Sequence, residues 1–346
     1  MIALVLLAAP LLAFGDAANR ALLLTNDGTL YTIESAYSED LGIQSASTQV
    51  LVLTSRDDQN STTTSIVPET LLGGTHTNPA LAYDSASKSL FIFWQRSISN
   101  GMSSDLVFCS YNNGNWSEAT SVDSAKYHYS RNIQIAVTHK IDQIDEKGAH
   151  SSVKSLTVHA AWWEDRPTSS LNPWARYAML TIENGLLTDI QVADLSLYTD
   201  VSKEVATPLE DGVSNEVLRH PAIFESSTHD SVDVLFGDIV ANNMHRVTIV
   251  PTLIVKAGSN GGRLRIPVGV KDSGIAAPKF RSEPDSRVSA IAGDKDKVVL
   301  YTTTKNGVSY VTYADGAWSP QRTLAVDEKM SADAAVEVLR RMVNAE

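Results

Sequence analysis

Ser110-Tyr111-Asn112-Asn113-Gly114-Asn115-Trp116-Ser117 returns 202 residues later as Thr312-Tyr313-Ala314-Asp315-Gly316-Ala317-Trp318-Ser319. Each copy reads as the end of a strand, a tight Asn-Gly or Asp-Gly turn, and an aromatic residue that opens the next strand. A hairpin phrase used twice, with weaker copies between, marks a repeat architecture built from β-hairpins.

Working outward from the phrase, five segments repeat one order of strands. The first holds strands at 21–24, 30–33, 49–54 and 64–68, the second at 80–83, 89–94, 106–111 and 116–122. The third holds 133–137, 156–163, 175–182 and 187–192, with a polar insert, Thr138 to Ser155, lengthening its first turn. The fourth holds 222–225, 232–236, 246–255 and 264–268, and the fifth 288–292, 297–301, 309–313 and 318–326. The third-strand markers Thr54, Ser110, Thr181, Thr248 and Thr312 lie 56, 71, 67 and 64 residues apart. Four strands per unit match the blade of a β-propeller better than a sandwich or a solenoid. Phe91-Ile92-Phe93 and Val298-Val299-Leu300 are unbroken apolar runs, expected where both faces of a strand are buried between neighbouring sheets. The predicted fold is all-β, a five-bladed β-propeller of four-stranded antiparallel blades over residues 17–326. A sixth blade would require Thr248 to Val270 to hold more than one hairpin.

The flanks differ from the repeats. Ile2 to Phe14 is almost wholly apolar and is followed by small residues before Asp16, the pattern of a secretory signal peptide over 1–16, although no Lys or Arg precedes it. The expected location is therefore secreted or periplasmic. Residues 327–346 predict an amphipathic helix: Ser331 suits its cap, Arg340 and Arg341 its last turn, and Ala335, Val338, Leu339, Met342 and Val343 form one stripe.

Forty acidic and 28 basic side chains leave a formal charge of −12, with no Lys/Arg-rich run, so nucleic acid is a poor partner. After residue 16 no apolar stretch reaches the ~20 residues of a membrane span. Cys109, the single cysteine, stands in a strand-like apolar run and reads as a buried hydrophobe. The eight histidines show no ligand spacing and no dinucleotide or P-loop motif occurs, so no cofactor or metal is expected.

The repeated phrase resembles a degenerate Asp-box, the hairpin signature of sialidase-like β-propellers, and the resemblance covers about residues 20–326. Both copies depart from Ser-x-Asp-x-Gly-x-Thr-Trp by one residue of spacing, and residues 110–117 carry Asn for Asp. The resemblance implies that starts of innermost strands and ends of second strands meet at one face around a central channel. The strand starts then contribute His76, Asn78, Arg131, Asn132, Arg219, His220 and Arg287. The second-strand ends contribute Glu34, Gln95, Arg96, Glu164, Asp165, Arg166, Asp238 and Thr303.

Trp94-Gln95-Arg96 and Trp163-Glu164-Asp165-Arg166 read as parallel constructions in which an aromatic precedes a polar fork. Such a pairing suits sugars, which offer C–H faces and hydroxyls together. Arg131, Arg219 and Arg287 could grip a carboxylate as a sialidase requires, but the Phe/Tyr-Arg-Ile-Pro motif of that family is absent. Glu164 and Asp238, from neighbouring repeats, are the better-placed carboxyl pair for glycoside hydrolysis, which needs roughly 5–10 Å between them. The expected function is non-catalytic binding of a carbohydrate or another polar extracellular ligand. The alternatives are a divergent glycoside hydrolase and a scaffold that holds a protein partner.

Overall fold

The computed structural model describes residues 19–25, 28–57, 59–98, 103–126, 129–140, 155–165, 174–195, 221–225, 231–238, 243–249, 271–276, 280, 288–292, 297–304, 307–325, 338, 339 and 342. Its strands fall into five antiparallel meanders. The first comprises β1 (Arg20–Leu24), β2 (Leu30–Tyr37), β3 (Ser47–Arg56) and β4 (Thr62–Ile66). The second comprises β5 (Gly74–Asp84), β6 (Ser89–Ile98) and β7 (Ser103–Asn112), with an outer strand split into β8 (Asn115–Trp116) and β9 (Thr120–Lys126). The third runs β10 (Tyr129–Lys140), β11 (Ser155–Asp165), β12 (Trp174–Glu183) and β13 (Leu186–Asp194). The fourth runs β14 (Ala222–Glu225), β15 (Val232–Asp238), β16 (Asn243–Ile249) and β17 (Lys271–Ala276). The fifth runs β18 (Val288–Ala292), β19 (Val298–Thr304) and β20 (Gly307–Ala314), again with a split outer strand, β21 (Ala317–Trp318) and β22 (Arg322–Ala325). A short parallel contact, Ser47 with Gly74 and Gln49 with Thr75, joins the first two meanders into one nine-stranded sheet.

The duplicated phrase folds the same way twice. Asn113 and Gly114 adopt φ of 48° and 86°, and Asp315 and Gly316 adopt 51° and 81°, the two left-handed residues a type I′ hairpin needs. Asn184-Gly185, at 52° and 78°, is a third copy in the third meander. Behind each of the first two turns a serine hydroxyl takes the place of a strand carbonyl. Ser110 N–H donates to Ser117 Oγ at 2.9 Å, and Thr312 N–H donates to Ser319 Oγ at 3.0 Å. The ring pairs Tyr111–Trp116 and Tyr313–Trp318 lie 4.7 and 5.1 Å apart. The serine satisfies a backbone donor where the outer strand breaks, which is why that strand appears in two pieces.

The meanders stack face to face, and strand parity decides which neighbour each residue meets. In β6, Leu90, Ile92 and Trp94 join Ile33, Leu51 and Leu53 of the first meander, whereas Phe91 and Phe93 join Ile133, Val158 and Trp162 of the third. In β11 and β12, Ala161, Trp163 and Tyr177 instead meet Ile223, Val234 and Phe236 of the fourth. Leu235 and Phe224 meet Val298, Leu300 and Val311 of the fifth. Four apolar cores thus lie in the four gaps between successive meanders. The first strands also follow one another in space: β1 lies against β5, β5 against β10, β10 against β14 and β14 against β18. Two-sided burial explains the unbroken apolar runs read from sequence.

Cys109 is a buried free thiol in the first of these gaps, and burial raises its pKa well above the usual thiol range. The expected strand at 264–268 and the expected leader lie outside the described residues. The edge strand that pairs with β16 is Lys271–Ala276. The polar insert begins later than expected, because β10 continues to Lys140 with Thr138 buried. Of the expected C-terminal helix, Val338, Leu339 and Met342 are described. Their backbone is helical, Leu339 is buried and Met342 exposed. No helix among the described residues is long and apolar enough to cross a membrane.

Phe93 is fully buried against Phe108, with ring centroids 5.0 Å apart, whereas Leu186 is 71% exposed. Phe93→Ala is expected to lower unfolding free energy by about 3–5 kcal/mol, as for other buried aromatics. Leu186→Ala should stay within about 0.5 kcal/mol. Urea midpoints measure both, and equal effects would contradict the assigned packing.

Candidate functional site

The nominated residues are strand-end residues, and the first strands β5 and β10 shape their end of the sheets in the same way. Pairing in β5 jumps from Thr77–Gln95 to Ala80–Phe93, and in β10 from Arg131–Trp163 to Gln134–Ala161. Each jump is a β-bulge, and each holds a left-handed asparagine: Asn78 at φ 51° and Asn132 at φ 56°. Asparagine tolerates that region better than other side-chain-bearing residues. Bulges of this kind bend a strand and re-aim its side chains.

The bulges also fix which residues correspond. Thr77 matches Arg131, so Gln95 matches Trp163 and Trp94 matches Trp162. The expected parallel between Trp94 and Trp163 is therefore wrong by one residue, and one residue turns a side chain to the other face. Trp94 faces the first meander, and Trp163 faces the fourth at 3% exposure. Neither presents an open ring to a sugar.

His76, on β5, is fully buried. Trp94 Nε1–H donates to its Nδ1 at 2.9 Å, so Nε2 carries the proton and donates to Gly73 O at 3.1 Å. Burial is the main cause that pulls its pKa from 6.5 down to about 4; Arg96 adds to the shift and the Gly73 bond opposes it. The imidazole is a neutral structural link. Ser35 Oγ–H, from β2, donates to the His76 carbonyl at 2.6 Å.

Gln95 is 3% exposed, accepts from Asn78 Nδ2 at 3.1 Å and thereby braces the first bulge. Arg96 lies 2.8 Å from Asp105 and 3.6 Å from Glu69, closing the gap to the first meander. One gap further on, Arg176 does the corresponding work. Its Nη2 donates to Asp123 at 2.7 Å, and its Nε stands 3.2 Å from Glu164 Oε2. The carboxylate of Glu164 is thus buried, at 4% residue exposure, within an inter-sheet ion-pair chain.

Asp165 ends β11 opposite Tyr129, Asp238 ends β15 opposite Asn243, and Arg131 lies in β10 opposite Trp163. Arg166, Arg219, His220 and Arg287 lie outside the described residues. The structure brings Asn78, Gln95 and Arg96 together on one meander and Arg131, Asn132, Trp163 and Glu164 on the next. Sequence reading missed Arg176, Asp123 and both bulges. The Asn-Pro and Asn-Ile pairs at strand starts carried a weak signal for the bulges, since asparagine favours positive φ. Among the described residues no group of three or more His, Cys, Asp or Glu could hold a metal ion.

No protein-family model and no curated protein matches the chain. Among solved structures it is similar to the Penicillium chrysogenum α-L-arabinanase complexed with arabinobiose, at 11% identity over 88% of this chain and 79% of that one, with a TM-score of 0.48. It is also similar to the GH93 α-L-arabinofuranosidase of Fusarium graminearum, at 11% identity over 85% of this chain and 76% of that one, TM-score 0.46. A third is a thermostable family-43 glycoside hydrolase, at 10% identity over 90% of this chain and 97% of that one, TM-score 0.43.

The buried imidazoles make stability depend on pH with a definite sign. His76 titrates at 6.5 when unfolded and at about 4 when folded, and His159 at about 3 when folded because burial pulls it down. A depressed histidine contributes stability that is complete above 6.5 and is lost as pH falls toward the folded value, by ~3 kcal/mol for such a shift. Urea midpoints should therefore decline steadily from about pH 7 to pH 4. His76→Gln should flatten part of that slope, and a profile identical to the parent's would remove His76 from the account.

Proposed function

We propose that the chain is a carbohydrate-binding β-propeller in which the five meanders are blades. Its ligand is received at the strand-start end bearing Asn78, Gln95, Arg96, Arg131 and Asn132. The carrying observation is the pair of left-handed asparagine bulges at matching positions of β5 and β10. They place Asn78 and Asn132 at one end of two adjoining blades, where hydroxyl-rich ligands find donors and acceptors. The succession of first strands from β1 to β18 supports a radial arrangement about one axis. By chain position Asp165, Arg166, Arg219, His220 and Arg287 belong to the same end. Trp163 is dropped from the ligand set, since its ring is buried in the core toward the fourth meander. The apolar stretch at 2–14 supports an exported protein, and the stripe of residues 335–343 a terminal helix docked on the last blade.

Carbohydrate binding without catalysis fits the engagement of the charged groups. Arg96, Arg176 and Glu164 all hold neighbouring meanders together. A hydrolytic reading rests on Glu164, a buried carboxylate at a strand end beside Arg176, with Asp238 as partner from the next blade.

Glycine substitutions keep the left-handed backbone and remove only the amide. Asn78→Gly and Asn132→Gly together should weaken a glycan-array hit roughly tenfold or more, while the lost Asn78–Gln95 bond lowers unfolding free energy by about 1–3 kcal/mol without unfolding the protein. An array with no hit for the parent protein rejects the carbohydrate reading, and capture of a protein partner instead would favour a scaffold. For the hydrolytic reading, aryl-glycoside turnover should vanish in Glu164→Gln/Asp238→Asn. Turnover that survives both changes assigns the chemistry elsewhere.

A further inference from the structure

At the opposite end of the second and third meanders lies a cleft of about 270 Å³. Its floor is apolar, formed by Phe91, Leu156 and Ile182, and its rim carries Ser110 and Asn184, with Asp84 at the back. Phe91 and Ser110 come from the second meander and face the third; Leu156 and Ile182 face back toward them. Asp84 is the last residue of β5 and Asn78 lies six positions earlier, so about 20 Å of strand separates this cleft from the strand-start end.

The state of Asp84 narrows the chemistry that fits. Its Oδ1 accepts from His139 Nε2 at 2.8 Å and from Ala86 N–H at 3.2 Å, and its Oδ2 accepts from Ser87 N–H at 2.8 Å. The Ser87 hydroxyl supplies a fourth bond. Burial pushes this carboxyl upward, but those four donors outweigh it and hold it well below the usual carboxylate range. A carboxylate has about four acceptor sites, so Asp84 is ionised, fully engaged and has nothing to offer a cation or an amine. The Ser110 hydroxyl and the Asn184 amide, in contrast, have no partner among the described residues and sit on the rim above the apolar floor. Asp84 and His139 also brace β5 against β10 across the gap, which keeps the cleft from collapsing.

We infer that this cleft is a second binding site, for one small neutral ring that carries hydroxyls on its edge and an apolar face: a single sugar residue or a cyclic polyol. The floor takes the C–H face, while Ser110 and Asn184 meet hydroxyls. The volume admits one ring and excludes a chain. The inference stands apart from the strand-start site, since no residue is shared.

The test is a titration of isotope-labelled full-length protein with methyl β-glucopyranoside, methyl β-xylopyranoside and cyclohexanol, reading backbone amide shifts. The glycosides should give saturable shifts at Ser87, Ser110 and Gly185, and cyclohexanol should bind more weakly than either. Ser110→Ala should weaken the glycosides about fivefold, the worth of one neutral hydrogen bond. Ala86→Trp, on an exposed turn at the mouth, should abolish the shifts while leaving the remainder of the spectrum in place. Asn78→Gly/Asn132→Gly should leave the shifts at this end unchanged, which separates this site from the one proposed above. Absence of saturable shifts for both glycosides, or equal shifts in parent and Ala86→Trp, overturns the inference.

Discussion

The second, third and fourth meanders each bury both faces between neighbouring cores, and this two-sided burial governs the rest of the molecule. In a sheet with one wet face, polarity decides register, because a slip of one residue carries apolar side chains into water. Here a slip would exchange two dry faces. Leu90, Ile92 and Trp94 would face the third meander, and Phe91 and Phe93 the first. Register must then be set by volume and by local backbone geometry. The Asn113-Gly114, Asn184-Gly185 and Asp315-Gly316 turns provide the geometric part, since a two-residue I′ turn admits one pairing of its flanking strands. The Asn78 and Asn132 bulges provide a second pin at the other end of the same sheets.

Where apolar side chains run out at the strand ends, charged ones span the gaps. Arg96 reaches Glu69 across the first gap, Arg176 reaches Asp123 across the second, and His139 meets Asp84 at the far end of that second gap. Such pairs contribute little net stability compared with apolar replacements, yet removing one partner alone costs about 3–5 kcal/mol when the pair is buried. They act by holding an orientation. The same logic applies deeper, where Thr138, His159 and Tyr177 form a buried chain with bonds of 2.8 and 2.7 Å. Burial raises the Tyr177 pKa and lowers that of His159, so both stay neutral there, as a dry interface requires.

The architecture was legible because its signals are local. Alternating and unbroken apolar runs placed nearly every described strand, and the repeated phrase located hairpins whose Ser110–Ser117 and Thr312–Ser319 bonds match. Bulges are silent in an apolar pattern, and the Trp162-Trp163 doublet offers two rings to align with Trp94, of which the pairing selects Trp162. Function suffered more than fold from that single residue. A tryptophan next to a polar fork looks the same in sequence whether its ring meets solvent or a neighbouring core, and parity decides between them. The partner of Glu164 was hidden for another reason: Arg176 lies 12 residues away on the paired strand β12, and the Asp123 it reaches lies across the gap between sheets, where no spacing rule applies.

The two ends of the second gap show how one frame yields two different openings. At the strand-start end the gap is bridged by Glu164, Arg176 and Asp123, whose long side chains occupy the space between the sheets. At the hairpin end the corresponding space is bordered by Ala86, Ser87, Ser89, Ser110 and Gly185, which are too small to cross it. Face-to-face sheets stand about 10 Å apart, so a run of small residues on both sides leaves a hollow unless something braces the walls. Asp84 and His139 do so at the back of the hollow, with a bond that closes one side and leaves the mouth free. Side-chain length at the strand ends therefore determines whether an end of this gap is a joint or a receptacle.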